Sequence, residues 1–387
     1  MPRWGMRWPA LLCLALCGCG EGRSLPDAQA TGAELAPIAA LGKKIFEDPS
    51  LSASGTLACQ TCHDPAHAHA DPRAVSIGGV DMAQTGTRNA PSIRYLDQTP
   101  AFFFHDEGTP VGGFNRDGRA DTLGLQARRP ILSANEMAND TAQAFADRLR
   151  QATYASDFTA AFGAQIFDDA DATLDRATFA IERYELEDPK FHQYSSKYDD
   201  FLRGRAKLTE AEIRGLALFN NPQKGNCAAC HPSGIGPGGA PPLFTDFTYD
   251  NLGVPRNAEI AANADAGFFD LGLCGPSRED LADRADLCGA FKVPTLRNVA
   301  VTAPYFHNGR FATLKEALQF YVRRDTNPEA FYPADPFDDL PPALHGNVNT
   351  SEVPYDRQPG DAPRLSDDEI DDLIAFLTTL TDADLRP

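Results

Sequence analysis

The sequence predicts an all-α chain of two domains, 32–204 and 205–387, with long irregular loops between the helices. Apolar residues recur at helical spacing, as in Leu35, Ile38, Leu41 and Ile45, and period-two strand patterns are scarce enough to allow at most a short hairpin. The string Cys-x-x-Cys-His occurs twice, at residues 59–63 and 227–231, about one domain apart. The stretches 232–257 and 325–364 are rich in Gly, Pro and Asp and read as loops.

Each string is a sequence at which two thiols add to the vinyl groups of a haem and the next His ligates the iron. Cysteines three apart stand about one helical turn apart on one face, which spans the vinyl positions and leaves the His beneath the ring. A four-cysteine zinc site would not need a His directly after both pairs, and neither pair lies in anything like a thioredoxin βαβ unit. The expectation is two covalent haem c groups, one held by Cys59, Cys62 and His63 and the other by Cys227, Cys230 and His231. Each would fill the core of a cytochrome c-like domain, which suits a chain with so much loop.

Taken in order, residues 1–19 read as an export signal. Arg3 and Arg7 precede an apolar stretch, Pro9 to Leu16, long enough for a signal and too short to span a bilayer. Leu16-Cys17-Gly18-Cys19 resembles a bacterial lipobox with Cys19 as the lipidated first residue; ordinary cleavage without a lipid is the alternative. Either route exports the chain to the periplasm, with the polar segment 20–31 as a tether. Loss of Arg3 and Arg7 takes the formal charge from −19 to −21, which excludes nucleic acid as a partner, since such binding rests on basic patches.

In the first domain a helix over Leu35–Ile45 precedes the haem string, and helical periodicity resumes after residue 140 at Phe145, Leu149, Phe158, Phe162, Phe179 and Ile181. In the second, Thr209 and Glu212 form a capping box ahead of the stripe Ile213, Leu216, Leu218 and Phe219. Ser366 and Glu369 cap a last helix bearing Ile370, Leu373, Ile374, Phe376 and Leu377. A helix before the string and one at the end is the order in which small cytochrome c domains pack across their haem. Cys274 and Cys288 remain once the signal, lipid and haem cysteines are assigned. In an oxidising compartment they pair as a disulfide, a link worth about 3 kcal/mol for a loop of this size.

Between the strings, other segments fall into a recognisable order: Arg88-Asn89-Ala90-Pro91-Ser92, Asp117-Gly118-Arg119-Ala120-Asp121, Gln126-Ala127 and Asn135-Glu136-Met137. Phe291-Lys292-Val293-Pro294-Thr295-Leu296-Arg297-Asn298 and Ala303-Pro304-Tyr305-Phe306-His307-Asn308-Gly309 follow. Over nearly the whole chain beyond the signal, this resembles the bacterial dihaem cytochrome c peroxidase and MauG superfamily. The resemblance implies a peroxidatic N-terminal haem with an open iron position. It also implies a six-coordinate C-terminal haem that relays electrons or stores oxidising equivalents, and one structural Ca2+ between the domains. A distal Glu six residues after a Pro, here Pro130 and Glu136, would shift a proton from the inner to the outer peroxide oxygen so that water leaves.

Three departures from the family pattern matter. Phe306 holds the slot where well-studied peroxidases ligate the C-terminal haem through Met, and no Met follows Met137. The local substitutes are Tyr305, since MauG-like members use a Tyr ligand, and, more weakly, His307. No His lies between His69 and His105, so the N-terminal iron is expected to be open at rest. His67 and His69 are then read as solvent or propionate partners. Arg116 stands where many relatives carry a Trp relay, and the chain beyond the signal holds no Trp; the aromatic substitutes would be Phe102-Phe103-Phe104 or Phe114. Three functions compete: a peroxidase fed by a small cytochrome c or cupredoxin, a MauG-like enzyme that uses hydrogen peroxide to oxidise an aromatic residue of a partner protein, and a pure electron-transfer cytochrome. The missing Met and distal His argue against the last and lean toward the second.

Overall fold

Two helix crossings, each closed by a glycine, organise the molecule. The computed structural model describes residues 34–386; the expected signal with Cys19 and the tether 20–31 lie outside the described residues. Ten α-helices stand among the described residues. In the first half they are α1 (Pro37–Glu47), α2 (Cys59–Cys62), α3 (Leu123–Leu132), α4 (Ala142–Gln151), α5 (Ala155–Phe162), α6 (Ala170–Glu187) and α7 (Lys197–Leu202). The second half holds α8 (Glu210–Asn220), α9 (Leu314–Arg323) and α10 (Asp367–Thr378). Helix α1 packs on α6, and α8 packs on α10. At each crossing the backbones approach so closely that a Cβ on Gly42 would overlap the Ala180 carbonyl, and one on Gly215 the Asp372 carbonyl. Only glycine permits that approach.

Both sequence-read capping boxes form, Thr209 with Glu212 and Ser366 with Glu369. The apolar stripes hold with two exceptions. Leu41 and Ile45 are buried on α1, and Ile370, Leu373, Phe376 and Leu377 on α10, but Ile213 is 52% exposed and Phe179 36%. The buried face of α8 runs through Gly215 and Phe219, and Ile213, two residues before Gly215, points about 200° away from it. One core joins residues from Leu41 to Phe191; a second joins Tyr198 to Leu380.

The expected single hairpin is replaced by three two-residue antiparallel ladders: β1 (Ile77–Gly78) with β2 (Gln84–Thr85), β3 (Phe103–Phe104) with β4 (Pro110–Val111), and β5 (Tyr249–Asp250) with β6 (Phe291–Lys292). Two residues are too few to show alternation in sequence. The loops 232–257 and 325–364 are irregular apart from β5 and short 3-10 turns. Cys274 and Cys288 meet with their Cα atoms 5.0 Å apart, closing the loop that leads into β6.

Buried ion pairs tie the halves together. Asp382, fully buried near the C-terminus, accepts from Tyr95 Oη at 2.6 Å and Asn298 Nδ2 at 2.8 Å and faces Arg94 Nη1 at 3.4 Å. Arg88 bridges Asp117 at 2.7 Å to Asp270 at 2.5 Å. Such groups hold position because removing one partner strands a buried charge. The crossings give the sharper test. Gly215→Ala should lower stability by about 1–3 kcal/mol or more in a thermal melt, because neither backbone can retreat; an unchanged melt would show that α8 and α10 are free to part.

Candidate haem sites

The two strings fold differently, yet their histidines are held in the same way. Cys59–Cys62 form the α-helical turn α2, and Cys227–Ala229 a 3-10 turn. In both, the histidine N–H donates to the carbonyl of the first cysteine at 2.9 Å, which turns the ring back over the cysteine pair. His63 Nδ1 donates to the His69 carbonyl at 3.1 Å and His231 Nδ1 to the Phe244 carbonyl at 2.7 Å. A carbonyl only accepts, so Nδ1 carries the proton and Nε2 keeps its lone pair. Burial, first among the causes, lowers both histidines and keeps them neutral. This is the arrangement a metal-ligating histidine needs.

The support extends one layer further. Ser92 Oγ donates to the Ala68 carbonyl at 2.6 Å, and Thr295 Oγ1 to the Leu243 carbonyl at 2.6 Å. Each of these carbonyls immediately precedes the one that receives the histidine. Arg94 N and Arg297 N then donate back to the same hydroxyls, both at 3.1 Å. The segments responsible are Ala90-Pro91-Ser92-Ile93-Arg94 and Val293-Pro294-Thr295-Leu296-Arg297, an internal repeat. The shared Pro-Ser/Thr-x-Arg pattern is the sequence signal for this repeat.

Cys59, Cys62, Cys227 and Cys230 are not joined in disulfides, and burial pushes Cys59, Cys227 and Cys230 up to about 12. A cavity of about 270 Å³, mostly apolar, opens on Cys227, Cys230 and His231. Among the described residues no group of three or more His, Cys, Asp or Glu is placed to hold a metal ion.

Beside the first string, α3 and the turn after it place Glu136. Pro130 lies in the last turn of α3 and its carbonyl accepts from Met137 N at 3.1 Å; Ser133 O accepts from Glu136 N at 3.0 Å. The six-residue spacing is thus one compact turn. Asn139 pins it by donating to the Ile131 carbonyl at 2.9 Å and the Leu51 carbonyl at 3.0 Å. Gly78 of β1 packs so tightly on the Asn135–Glu136 backbone that no Cβ fits. Burial raises the Glu136 carboxyl, and its charge is felt at both Cys59 and Cys62.

A second carboxyl went unnoticed in the sequence. Glu185 of α6 is buried, its Oε2 has no hydrogen-bond partner, and its charge acts on Cys59. Only its place on the inner face of α6 marks it, and helical periodicity does not distinguish a buried Glu from a solvated one. Burial, with Glu182 nearby, raises it to about 8.

His67 pairs with Asp64 at 2.9 Å. His69 departs from the solvent expectation: it is buried, its Nδ1 accepts from Arg94 Nε at 3.2 Å, and burial together with Arg94 lowers it to about 3. Phe114 is a core residue packed with Ala120 and Leu123, and Phe103 is 41% exposed.

Beside the second string, Tyr305, Phe306 and His307 line the cavity with His231. Tyr305 Oη donates to the Val299 carbonyl at 2.9 Å, and burial raises the phenol to about 12. His307 is buried and stacked on Phe291 with ring centroids 3.7 Å apart; its Nε2 lacks a hydrogen-bond partner and lies 3.8 Å from Asp339. Met82 and Met137 both pack into the first core, away from this loop in sequence and in space.

The Glu185 carboxyl gives a pH test. A group raised from 4.5 to about 8 binds its proton longer in the folded than in the unfolded state, so stability falls as pH rises through that window. Glu185→Gln should flatten the melting temperature between about pH 5 and pH 8; a profile that still falls as in the parent would assign the decline elsewhere.

Comparison with known proteins follows the same lines. The family model described as di-haem cytochrome c peroxidase matches residues 36–207. Methylamine utilization protein MauG of Paracoccus denitrificans is 40% identical over 364 residues, 90% of each chain. Cytochrome c551 peroxidase of Nitrosomonas europaea is 34% identical over 299 residues, 76% of each chain. The crystal structure of the diheme peroxidase BthA from Burkholderia thailandensis superposes with a TM-score of 0.84 at 39% identity, covering 90% of this chain and 87% of that one.

Proposed function

The chain belongs to the di-haem cytochrome c peroxidase family that includes MauG, and we propose that it is an exported enzyme consuming hydrogen peroxide at the haem held by Cys59, Cys62 and His63. The family consists of haem oxidoreductases with two haem c groups. In the proposed arrangement residues 32–204 form the peroxidatic domain, and residues 205–387 carry the second haem on Cys227, Cys230 and His231. The separate cores from Leu41 to Phe191 and from Tyr198 to Leu380 support that division. A periplasmic location, a lipid anchor at Cys19 and a Cys274–Cys288 disulfide complete the proposal. The opposed Cys274 and Cys288 sulfurs support the disulfide.

One observation carries the peroxidatic assignment: a carboxyl raised by burial, Glu136, acts on both cysteines of the first string. The bound haem supplies an iron position for peroxide and a route for electrons. The protein supplies the rest. His63 presents Nε2, held by the His69 carbonyl. Pro130 and Gly78 fix the turn that aims Glu136. Glu136, a carboxyl raised by burial, would move a proton from the inner to the outer peroxide oxygen so that water can leave. Glu136→Gln keeps the shape and removes the exchangeable proton. It should slow the reaction of the two-haem protein with peroxide by roughly 10²-fold or more in a stopped-flow mixing experiment. Near-parental rates with both haems present by mass would confine Glu136 to structure.

The loop Tyr305-Phe306-His307 favours a second reading, in which the enzyme oxidises an aromatic residue of a partner protein instead of accepting electrons from a small cytochrome c or cupredoxin. A phenyl ring cannot bind iron, and both methionines of the described residues belong to the first core. Tyr305 is the proposed sixth ligand, reached by giving up its bond to the Val299 carbonyl, with His307 the weaker alternative. An anionic phenolate would lower the potential and favour the oxidised iron. Tyr305→Phe should convert the second haem to high spin, or pass it to His307, in the resting absorption spectrum; an unchanged low-spin spectrum would return the protein to the cytochrome-fed peroxidase reading.

A further inference from the structure

We propose that Arg116 and Lys292 form the cradle for the haem propionates at the second string. The inference rests on the assignment of a haem to Cys227 and Cys230. Internal arginines of this molecule have carboxylate partners: Arg88 has Asp117 and Asp270, Arg94 has Asp382 and Asp384, Arg297 has Asp199. Arg116 and Lys292 are different. Both line the cavity that holds His231, and neither makes a direct ion pair among the described residues, although Asp270 acts on Arg116 and Asp117 on Lys292 at longer range. Arg116 donates Nε to the Asn89 carbonyl at 3.0 Å and Nη2 to Asn89 Oδ1 at 2.8 Å, leaving Nη1 uncommitted. Lys292 Nζ donates to the carbonyl of Gly113 and lies 5.9 Å from the centre of the Phe114 ring.

Two cations that share a cavity without a direct ion pair are costly even with Asp270 and Asp117 acting on them at longer range, and they leave donors for a further anion. Haem carries two carboxylates, on the edge away from the vinyl positions that the cysteines capture. The donors are positioned before the cofactor arrives. Lys292 sits in β6 opposite Tyr249 and donates its backbone N–H to the Arg116 carbonyl at 2.8 Å. Arg116 is anchored on Asn89. Burial and the adjacent Arg88 lower Arg116 to about 9, and burial lowers Lys292 to about 8, shifts that a pair of carboxylates would reverse. Because Arg116 comes from the first half and Lys292 from the second, the same link would clamp the halves onto the cofactor.

The test is a potentiometric titration of the two-haem protein, followed by absorbance. Reduction adds negative charge to the haem, so a cation beside it favours the reduced form. Arg116→Gln and Lys292→Gln should each cut the reduced-to-oxidised ratio of one haem about tenfold at its parental midpoint, a 59 mV shift for a one-electron couple. Arg116→Lys should restore most of the parental value. Unchanged potentials in both Gln variants, with two haems present by mass, would overturn the cradle. If Arg116→Gln fails to fold or to load, Lys292→Gln decides alone. A parent protein with no haem on the second string would instead overturn the functional assignment.

Discussion

The hydrogen bond from each histidine Nδ1 to a backbone carbonyl is the constraint on which the rest of the structure depends. It sets the tautomer, aims Nε2 and fixes the ring above its cysteine pair. The carbonyl must itself be held, and the hydroxyl of Ser92 or Thr295 does so by gripping the peptide one residue earlier. The arginine two residues after each hydroxyl then locks the segment into the buried ionic network. A chain with little regular structure around its cofactors needs such tethers, because loops supply few repeating hydrogen bonds of their own.

That network also explains how the halves stay in register. Arg94 leaves the first repeat to meet Asp382 and Asp384 near the C-terminus, while Arg297 leaves the second to meet Asp199, flanked by the rings of Tyr95 and Tyr194 at 4.7 and 4.6 Å. Each half therefore completes the other's histidine support. Ion pairs of this kind add little net stability over apolar packing, but they are intolerant of misalignment.

On this shared frame the surroundings of the two strings differ. The first has carboxyls, Glu136 and Glu185, kept from easy ionisation by burial. The second has an aromatic loop and a pair of cations. Proton transfer suits the former and retention of charge the latter. The asymmetry between proposed peroxide site and proposed electron site thus comes from a handful of side chains on a repeated scaffold.

Much of the local pattern was legible in the sequence. The two Cys-x-x-Cys-His strings, both capping boxes and the Pro130-to-Glu136 spacing depend on residues within a turn or two of each other, although the strings then fold as an α-helical and a 3-10 turn. The opposition of Cys274 and Cys288 followed from elimination among nine cysteines. What only the tertiary structure decided depends on segments far apart in the chain. The carbonyl that receives His63 lies six residues on, whereas the one that receives His231 lies thirteen residues on, so no fixed spacing identifies it. Gly42 and Gly215 look like weak points of their helices until the crossings with α6 and α10 show why a side chain is forbidden. His69, Glu185 and Arg116 are polar residues whose roles follow from burial, and burial is a property of what packs against a residue from elsewhere in the chain.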